Sequence, residues 1–318
     1  MSDYALEVHD LRVDYGDFVA VDGLSLKIPR GKVVGLVGPN GAGKTSTFKV
    51  LATLMEPTYG EVSMCGLDVL EETAKVRKLL GYMPDLAPVP SDLKLGEFLE
   101  FHADTHALGN KAQRRARVDE CLARVNLTAK RNAWCRKLSR GQTQRLVLAK
   151  TLLHEPQVMI LDEPASGLDP LSRRELRLTL QSLAREGVTV LVSSHILSEL
   201  AEMCSSIIVM NQGKLLASGT AEEVRSELGS DRREMTMKVL GTTGELFSWL
   251  TAREGVSELV QEEGAVKFDF VGDDEAQVQL LADCVRAGFA VKTLEEKRAS
   301  FEEILVEVAE GNETPLEE

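Results

Sequence analysis

The chain lacks any long hydrophobic run. Apolar stretches such as Val33–Val37 and Val158–Leu161 fall far short of the roughly 18 residues that a membrane helix needs, and mean hydropathy is −0.10. No segment is therefore expected to span a bilayer. The first ten residues, MSDYALEVHD, contain neither a basic segment nor an apolar stretch, which predicts no signal peptide and a cytosolic product. Cysteine is sparse: five residues, at 65, 121, 135, 204 and 284, with no C-x-x-C pair. Reduced thiols are expected and a zinc site is not. An excess of positive charge is also missing. Net charge is −13, which disfavours nucleic acid or anionic lipid as a partner.

Hydrophobic residues make up 43% and charged residues 27% of the chain, an ordinary globular composition. Its 318 residues exceed the usual 100 to 200 per domain, which predicts one full-sized domain and a smaller one. The negative charge is concentrated at one end, since residues 231–318 hold 9 Lys+Arg against 21 Asp+Glu. With the short stretch Leu228-Gly229-Ser230-Asp231, this break places a domain boundary near 230, giving domains 1–229 and 230–318.

Residues 5–37 alternate in short apolar segments punctuated by Gly16, Gly23 and Pro29-Arg30-Gly31, an antiparallel β patch leading into a buried strand. That strand, Lys32–Val37, runs into Gly38-Pro39-Asn40-Gly41-Ala42-Gly43-Lys44-Thr45, followed by Ser46 and a helical pattern with Phe48, Leu51, Ala52 and Met55. This is G-x-x-x-x-G-K-T in its proper context, with a strand before and a helix after. Its glycines let backbone N–H groups curl round a phosphate, and the helix N-terminus adds positive potential. Lys44 neutralises β and γ oxygens, and the Thr45 hydroxyl can ligate Mg²⁺.

A phosphate loop alone leaves kinases, GTPases, helicases and transport ATPases open. A second strand, Val158–Leu161, ends in Asp162-Glu163, the first suited to hold Mg²⁺ and the second to polarise an attacking water. Upstream stands Leu138-Ser139-Arg140-Gly141-Gln142, followed by a helix with Leu146, Ala149 and Leu153 on one face. Downstream come Ser166-Gly167-Leu168-Asp169 and His195 after the strand Thr189–Ser193.

In this order the chain resembles the nucleotide-binding domain of ABC transporters over about residues 4–225, and most of all the ATPase subunits of bacterial ABC-2-type exporters. The resemblance implies an α/β fold of the P-loop NTPase class: a mixed sheet core, an antiparallel β patch and a helical subdomain over about 91–137. It also implies two copies head to tail, with each ATP between the phosphate loop of one and the signature Ser139, Gly141 and Gln142 of the other. Tyr15 matches the aromatic that stacks on adenine. His195 matches the histidine that hydrogen-bonds the γ-phosphate, Asp169 the loop that couples the two sites, and Glu163 the catalytic base. Asp85 stands where the subgroup often has a Glu touching Mg²⁺ and the membrane subunit. Arg140 replaces a glycine of the family, and its side chain points away from phosphate or adds a charge contact. The resemblance further implies ATP and Mg²⁺ as cofactors, a second copy or a paralogue as dimer partner, and a separate polytopic permease. The ATPase would then sit on the inner face of the membrane and drive solute export.

His102 and His106 are spaced i, i+4 without an acidic motif beside them, so a solvated or half-buried helix face is expected rather than a metal site. The basic run Lys111–Arg117, without aromatics, is also expected to be a solvated face. After 230 the pattern is strand, helix, two strands, helix, strand and a last helix over 300–308, which predicts a ferredoxin-like α+β unit with a regulatory or dimer-stabilising role. A different class, a soluble ABC ATPase acting mechanically on nucleic acid or a protein complex, fits less well: the chain has one such domain, no heptad insert and an acidic tail. A P-loop kinase or GTPase leaves Leu138–Gln142 and His195 unexplained.

Overall fold

The computed structural model describes residues 3–86, 88–228, 232–262 and 264–298. The chain divides into two compact units, Met1–Ala221 and Glu222–Glu318. The division falls slightly ahead of the charge break near 230.

In the first unit a six-stranded sheet has the order Lys214–Gly219, Ser206–Asn211, Val33–Val37, Thr189–Ser194, Val158–Leu161, Leu80–Met83. Five of these strands are parallel, and Lys214–Gly219 pairs antiparallel at one edge. Val33–Val37 and Val158–Leu161 are buried at every position, which explains their continuous apolar sequences: helices cover both faces of a parallel sheet. The phosphate loop and the Asp162-Glu163 pair follow the C-terminal ends of two such strands, where sheets of this kind place their ligands.

The antiparallel patch is built from Phe18–Pro29, Tyr4–Tyr15, Tyr59–Met64 and Leu67–Asp68. The sequence suggested several short segments over residues 5–28, whereas the structure has two strands of 12 residues each. Register shifts between Val8 and Leu11 and again at Val13 interrupt the alternation of faces. One long strand therefore reads as several pieces. Leu6, Leu24, Ile28 and Met64 from this patch pack with Leu36, Phe48 and Leu51 in one core.

The helical part contains Leu95–Thr105 and Lys111–Arg124. Most of the basic run at 111–117 faces solvent. Arg117 departs from that expectation: its side chain is 15% exposed, and it donates to Leu153 O at 2.9 Å and Leu152 O at 2.6 Å. It thereby satisfies carbonyls at the end of the helix Arg140–Leu152. His102 lies edge-on to Phe98, while His106 stacks on His154 with ring centroids 4.3 Å apart and planes 5° from parallel.

The second unit is an antiparallel sheet of order Val256–Glu262, Ala265–Val271, Arg232–Leu240, Ala290–Arg298, with helices Thr243–Thr251 and Asp274–Arg286. The order β-α-β-β-α-β is that of a ferredoxin-like unit. Met235, Met237, Leu246, Leu250, Phe268 and Cys284 fill its core, and Asp273 caps the second helix by accepting from Ala276 N at 2.8 Å. The last helix expected over 300–308 lies outside the described residues. Among the described residues no helix is long and apolar enough to cross a membrane.

Candidate nucleotide-binding site

The strand Val33–Val37 ends at Gly38, and the helix Lys44–Leu51 begins six residues later. Between them Gly41 and Gly43 adopt φ of 85° and 98°. A Cβ on Gly43 would meet Ala20 O at 2.4 Å, so the loop closes only with glycine there. Lys44 is 7% exposed, and its Nζ donates to Gly38 O at 2.6 Å and Pro39 O at 3.1 Å. Burial pushes its pKa down, while Glu163 and Asp162 pull it up. The ammonium is thus held at the loop, facing the two carboxylates.

Asp162 follows the strand Val158–Leu161 and is 4% exposed. It accepts from Ser193 Oγ at 2.7 Å and from Thr45 Oγ1 at 3.3 Å. Ser193 Oγ also accepts from Glu163 N at 2.8 Å, so one buried hydroxyl of the neighbouring parallel strand fixes both carboxylate residues. Glu163 adopts φ of 47°, a left-handed conformation uncommon for a residue with a side chain. The turn separates the two carboxylates: Asp162 faces Thr45, and Glu163 Oε2 lies 3.0 Å from His195 Nδ1. Below them burial pushes the Tyr82 phenol up to about 12, with the charge of Asp162 adding to the effect.

These groups open onto a cleft of about 270 Å³, lined by Tyr15, Phe18, Ala20, Asn40, Gly41, Ala42, Gly43, Lys44, Thr45, Ser46, Asp85, Asp162 and Glu163. Tyr15 is 47% exposed, and its hydroxyl is 3.4 Å from Ser46 Oγ. Phe18 is paired directly across the hairpin from Tyr15 and 61% exposed. It forms a second aromatic wall that the sequence reading missed, although an aromatic three residues after Tyr15, across a Gly-Asp turn, was the signal. Ser193 was missed as a linking group as well. A serine pair ending an otherwise apolar strand pointed to it.

Thr45, Asp162 and Asp85 contribute only oxygen donors to the same cleft, the chemistry that Mg²⁺ selects. The buried lysine and the curled backbone match a triphosphate tail.

Gly38, Pro39 and His195 stand behind the lining and meet it through Lys44 and Glu163, whereas Ser139, Gly141, Gln142 and Asp169 do not line this cleft. Ser139 caps the helix Arg140–Leu152: its Oγ accepts from Gln142 N at 3.3 Å, and Gln142 Oε1 accepts from Ser139 N at 3.2 Å. That reciprocal pair fixes the first turn of the helix. Gly141 is buried against Ser172, whose Oγ a Cβ would meet at 2.8 Å. Arg140, whose direction the sequence left open, lies along Gly167, with its Nη2 3.4 Å from Ser166 Oγ. Asp169 caps the helix Pro170–Arg185, accepting from Ser172 Oγ at 2.7 Å, Ser172 N at 3.0 Å and Leu171 N at 3.1 Å. The Ser172 hydroxyl, ahead of the backbone donors, holds its pKa down.

Comparison with known proteins agrees with this geometry. The family described as "ABC transporter" matches residues 21–166, and the "ATP-binding protein DrrA1-3-like, C-terminal domain" matches residues 219–309. The daunorubicin resistance ATP-binding protein DrrA3 of Streptomyces coeruleorubidus is 39% identical over 244 residues, 77% of each chain. An uncharacterized ABC transporter ATP-binding protein of Bacillus subtilis, YxlF, is 31% identical over 303 residues, covering 95% of this chain and 99% of its own. A bacterial ABC transporter cassette solved as a dimer superposes with a TM-score of 0.62 at 26% identity, over 68% of this chain and 98% of that one. The chain belongs to the family of ABC transporter ATP-binding proteins and is a nucleotide-binding ATPase cassette.

Proposed function

We propose that the protein is the ATPase of an ABC-2-type exporter: two copies close on two MgATP, hydrolyse them, and drive a separate polytopic permease from the inner face of the membrane. The observation that carries this reading is the division of the motifs. One chain gathers Lys44, Thr45, Asp162, Glu163 and His195 into one site and turns Ser139 and Gly141 away from it. A head-to-tail partner would bring its Ser139 hydroxyl, Gly141 amide and helix N-terminus onto the γ-phosphate. The relatives' names support export, since other relatives 32–34% identical are called Nod factor export ATP-binding proteins.

Tyr15 stacks on the base. The backbone of residues 38–43 and Lys44 bind the phosphates, with Ser46 at the helix start. Thr45, Asp162 and Asp85 would hold Mg²⁺, which when bound neutralises charge on the phosphate oxygens. Glu163 takes a proton from the attacking water, and His195 holds the Glu163 carboxylate in place while donating toward the γ-phosphate. Asp169 shapes the loop that would meet the partner. The acidic domain over 230–318 supports assembly and carries no part of the chemistry.

The test is purification of the tagged protein from mild-detergent extracts of its own host. Stoichiometric recovery of a polytopic membrane protein is expected. Recovery only with a soluble complex such as a ribosome would contradict the transporter reading and favour a mechanical ATPase.

A further inference from the structure

A ring of contacts beside the cleft links the two loops that carry Glu163 and His195. From Glu163 the chain turns tightly, with Ser166 N donating to Glu163 O at 3.1 Å and Leu168 N to Ala165 O at 3.2 Å. Leu168 O then accepts from Arg173 Nη2 at 3.1 Å. The other arm of the same guanidinium, Nη1, pairs with Glu199 Oε1 at 2.9 Å. Glu199 Oε2 accepts from Ser194 Oγ at 3.3 Å, and Ser194 Oγ accepts from Ile196 N at 3.0 Å. The turn so formed carries His195, whose Nδ1 returns to Glu163 Oε2 at 3.0 Å.

We propose that Arg173 and Glu199 act as positioning residues, a strut that fixes the loop 163–169 relative to the turn 194–196 and so holds His195 and Glu163 in register for hydrolysis. Resting on the assignment of Glu163 and His195 above, it deepens that reading.

Three features separate this pair from an ordinary surface ion pair. The Glu199 side chain is only 8% exposed. Its burial raises its pKa, and Arg173 is the first group opposing that rise, so removing the arginine leaves a nearly buried carboxylate without its counter-charge. Arg173 uses the two arms of its fork on two different elements, the loop at Leu168 and the helix Leu197–Met203, which a lysine's single ammonium reproduces only in part. Its Nε is buried and makes no hydrogen bond, so the polar contacts of the guanidinium are those to Leu168 O and Glu199. The neighbouring pair Arg177–Glu202 joins the same two helices, yet Glu202 is 71% exposed and no contact ties Arg177 to Leu168. It supplies an internal control.

The experiment measures kcat and KM for MgATP, with thermal melting, in Arg173→Met, Arg173→Lys, Ser194→Ala, Arg177→Met and Glu163→Gln of the full chain. A strut predicts a kcat about tenfold lower in Arg173→Met with KM changed less than about threefold, since small misplacement of catalytic groups costs turnover before binding. Arg173→Lys should recover part of that loss. Ser194→Ala, which buries no new charge, should lower kcat about threefold, and Arg177→Met should stay within twofold. Should Arg173→Met not fold, the lysine and Ser194 variants decide. A kcat within twofold of the parent in Arg173→Lys and Ser194→Ala, with Glu163→Gln inactive, overturns the strut alone. Full turnover in Glu163→Gln overturns the assignment of Glu163, and the strut with it.

Discussion

Within the first unit, the phosphate-loop side and the signature side are built on opposite principles. On the phosphate-loop side the polar groups are buried and satisfy one another: Lys44 in the carbonyls of Gly38 and Pro39, Asp162 between Ser193 and Thr45. On the signature side Ser139 and Asp169 cap their own helices near the surface, and their contacts stabilise a shape rather than a cleft. The first is a pocket whose polar groups are already held in place by one another. The second is a rigid presenting surface whose function requires something to be presented to. The difference explains why one chain looks like half of an enzyme.

Substitutions on the two sides should therefore separate ATP binding from turnover. The largest effect is expected from Lys44→Met, which removes the cation facing Asp162 and Glu163. Loss of a charge-assisted contact of about 1.5–3 kcal/mol predicts ATP binding weaker by roughly 10- to 150-fold, measured by calorimetry on the monomer. Tyr15→Ala should weaken binding on the same side by about 1–3 kcal/mol, the scale of base–aromatic stacking. Phe18→Ala tests whether the second aromatic shares that contact, through a further loss of affinity.

Ser139→Ala should cost about 1 kcal/mol of stability through loss of the cap and lower turnover, with monomer affinity for ATP unchanged. A fall in monomer affinity equal to that of Tyr15→Ala would break the comparison. The smallest effect is pH-dependent and belongs to the helices that support the signature. Burial lowers the pKa of His102 to about 4, with Lys150 and His106 adding to the effect. Burial also lowers His106 and His154. In the unfolded chain these imidazoles titrate near 6.5, so between about 6.5 and 4 the unfolded state binds more protons than the folded one. Stability is then complete above about pH 6.5 and lost as pH falls through that window. His154→Phe should flatten the melting temperature against pH between 6.5 and 5, whereas Tyr15→Ala should leave the slope intact.

The two sides were not equally legible in the sequence. The phosphate loop could be read because its glycines, lysine and threonine are contiguous and flanked by a strand and a helix, and Asp162-Glu163 because an apolar strand ends there. Ser193 was hidden because its partner lies 31 positions away and pairs only through parallel strand register. Phe18 was hidden because cross-strand pairing, not sequence spacing, places it opposite Tyr15. The long first strands were fragmented by their bulges. His154 carried no signal at all, since its ring meets His106 only after two helices pack. The second unit shows the reverse: over residues 232–298 its alternation and caps matched the element order directly, while the helix expected over 300–308 lies outside the described residues.

The central claim, that a complete ATP site needs a second copy of the signature side, is tested most directly by measuring mass in solution. Glu163→Gln should bind MgATP without turning it over, and light scattering after gel filtration should then find a species of twice 34.9 kDa. Adding Ser139→Arg to the same chain should return it to the monomer mass with ATP still bound. A monomer in the single variant, or a dimer indifferent to Ser139→Arg, would contradict the account.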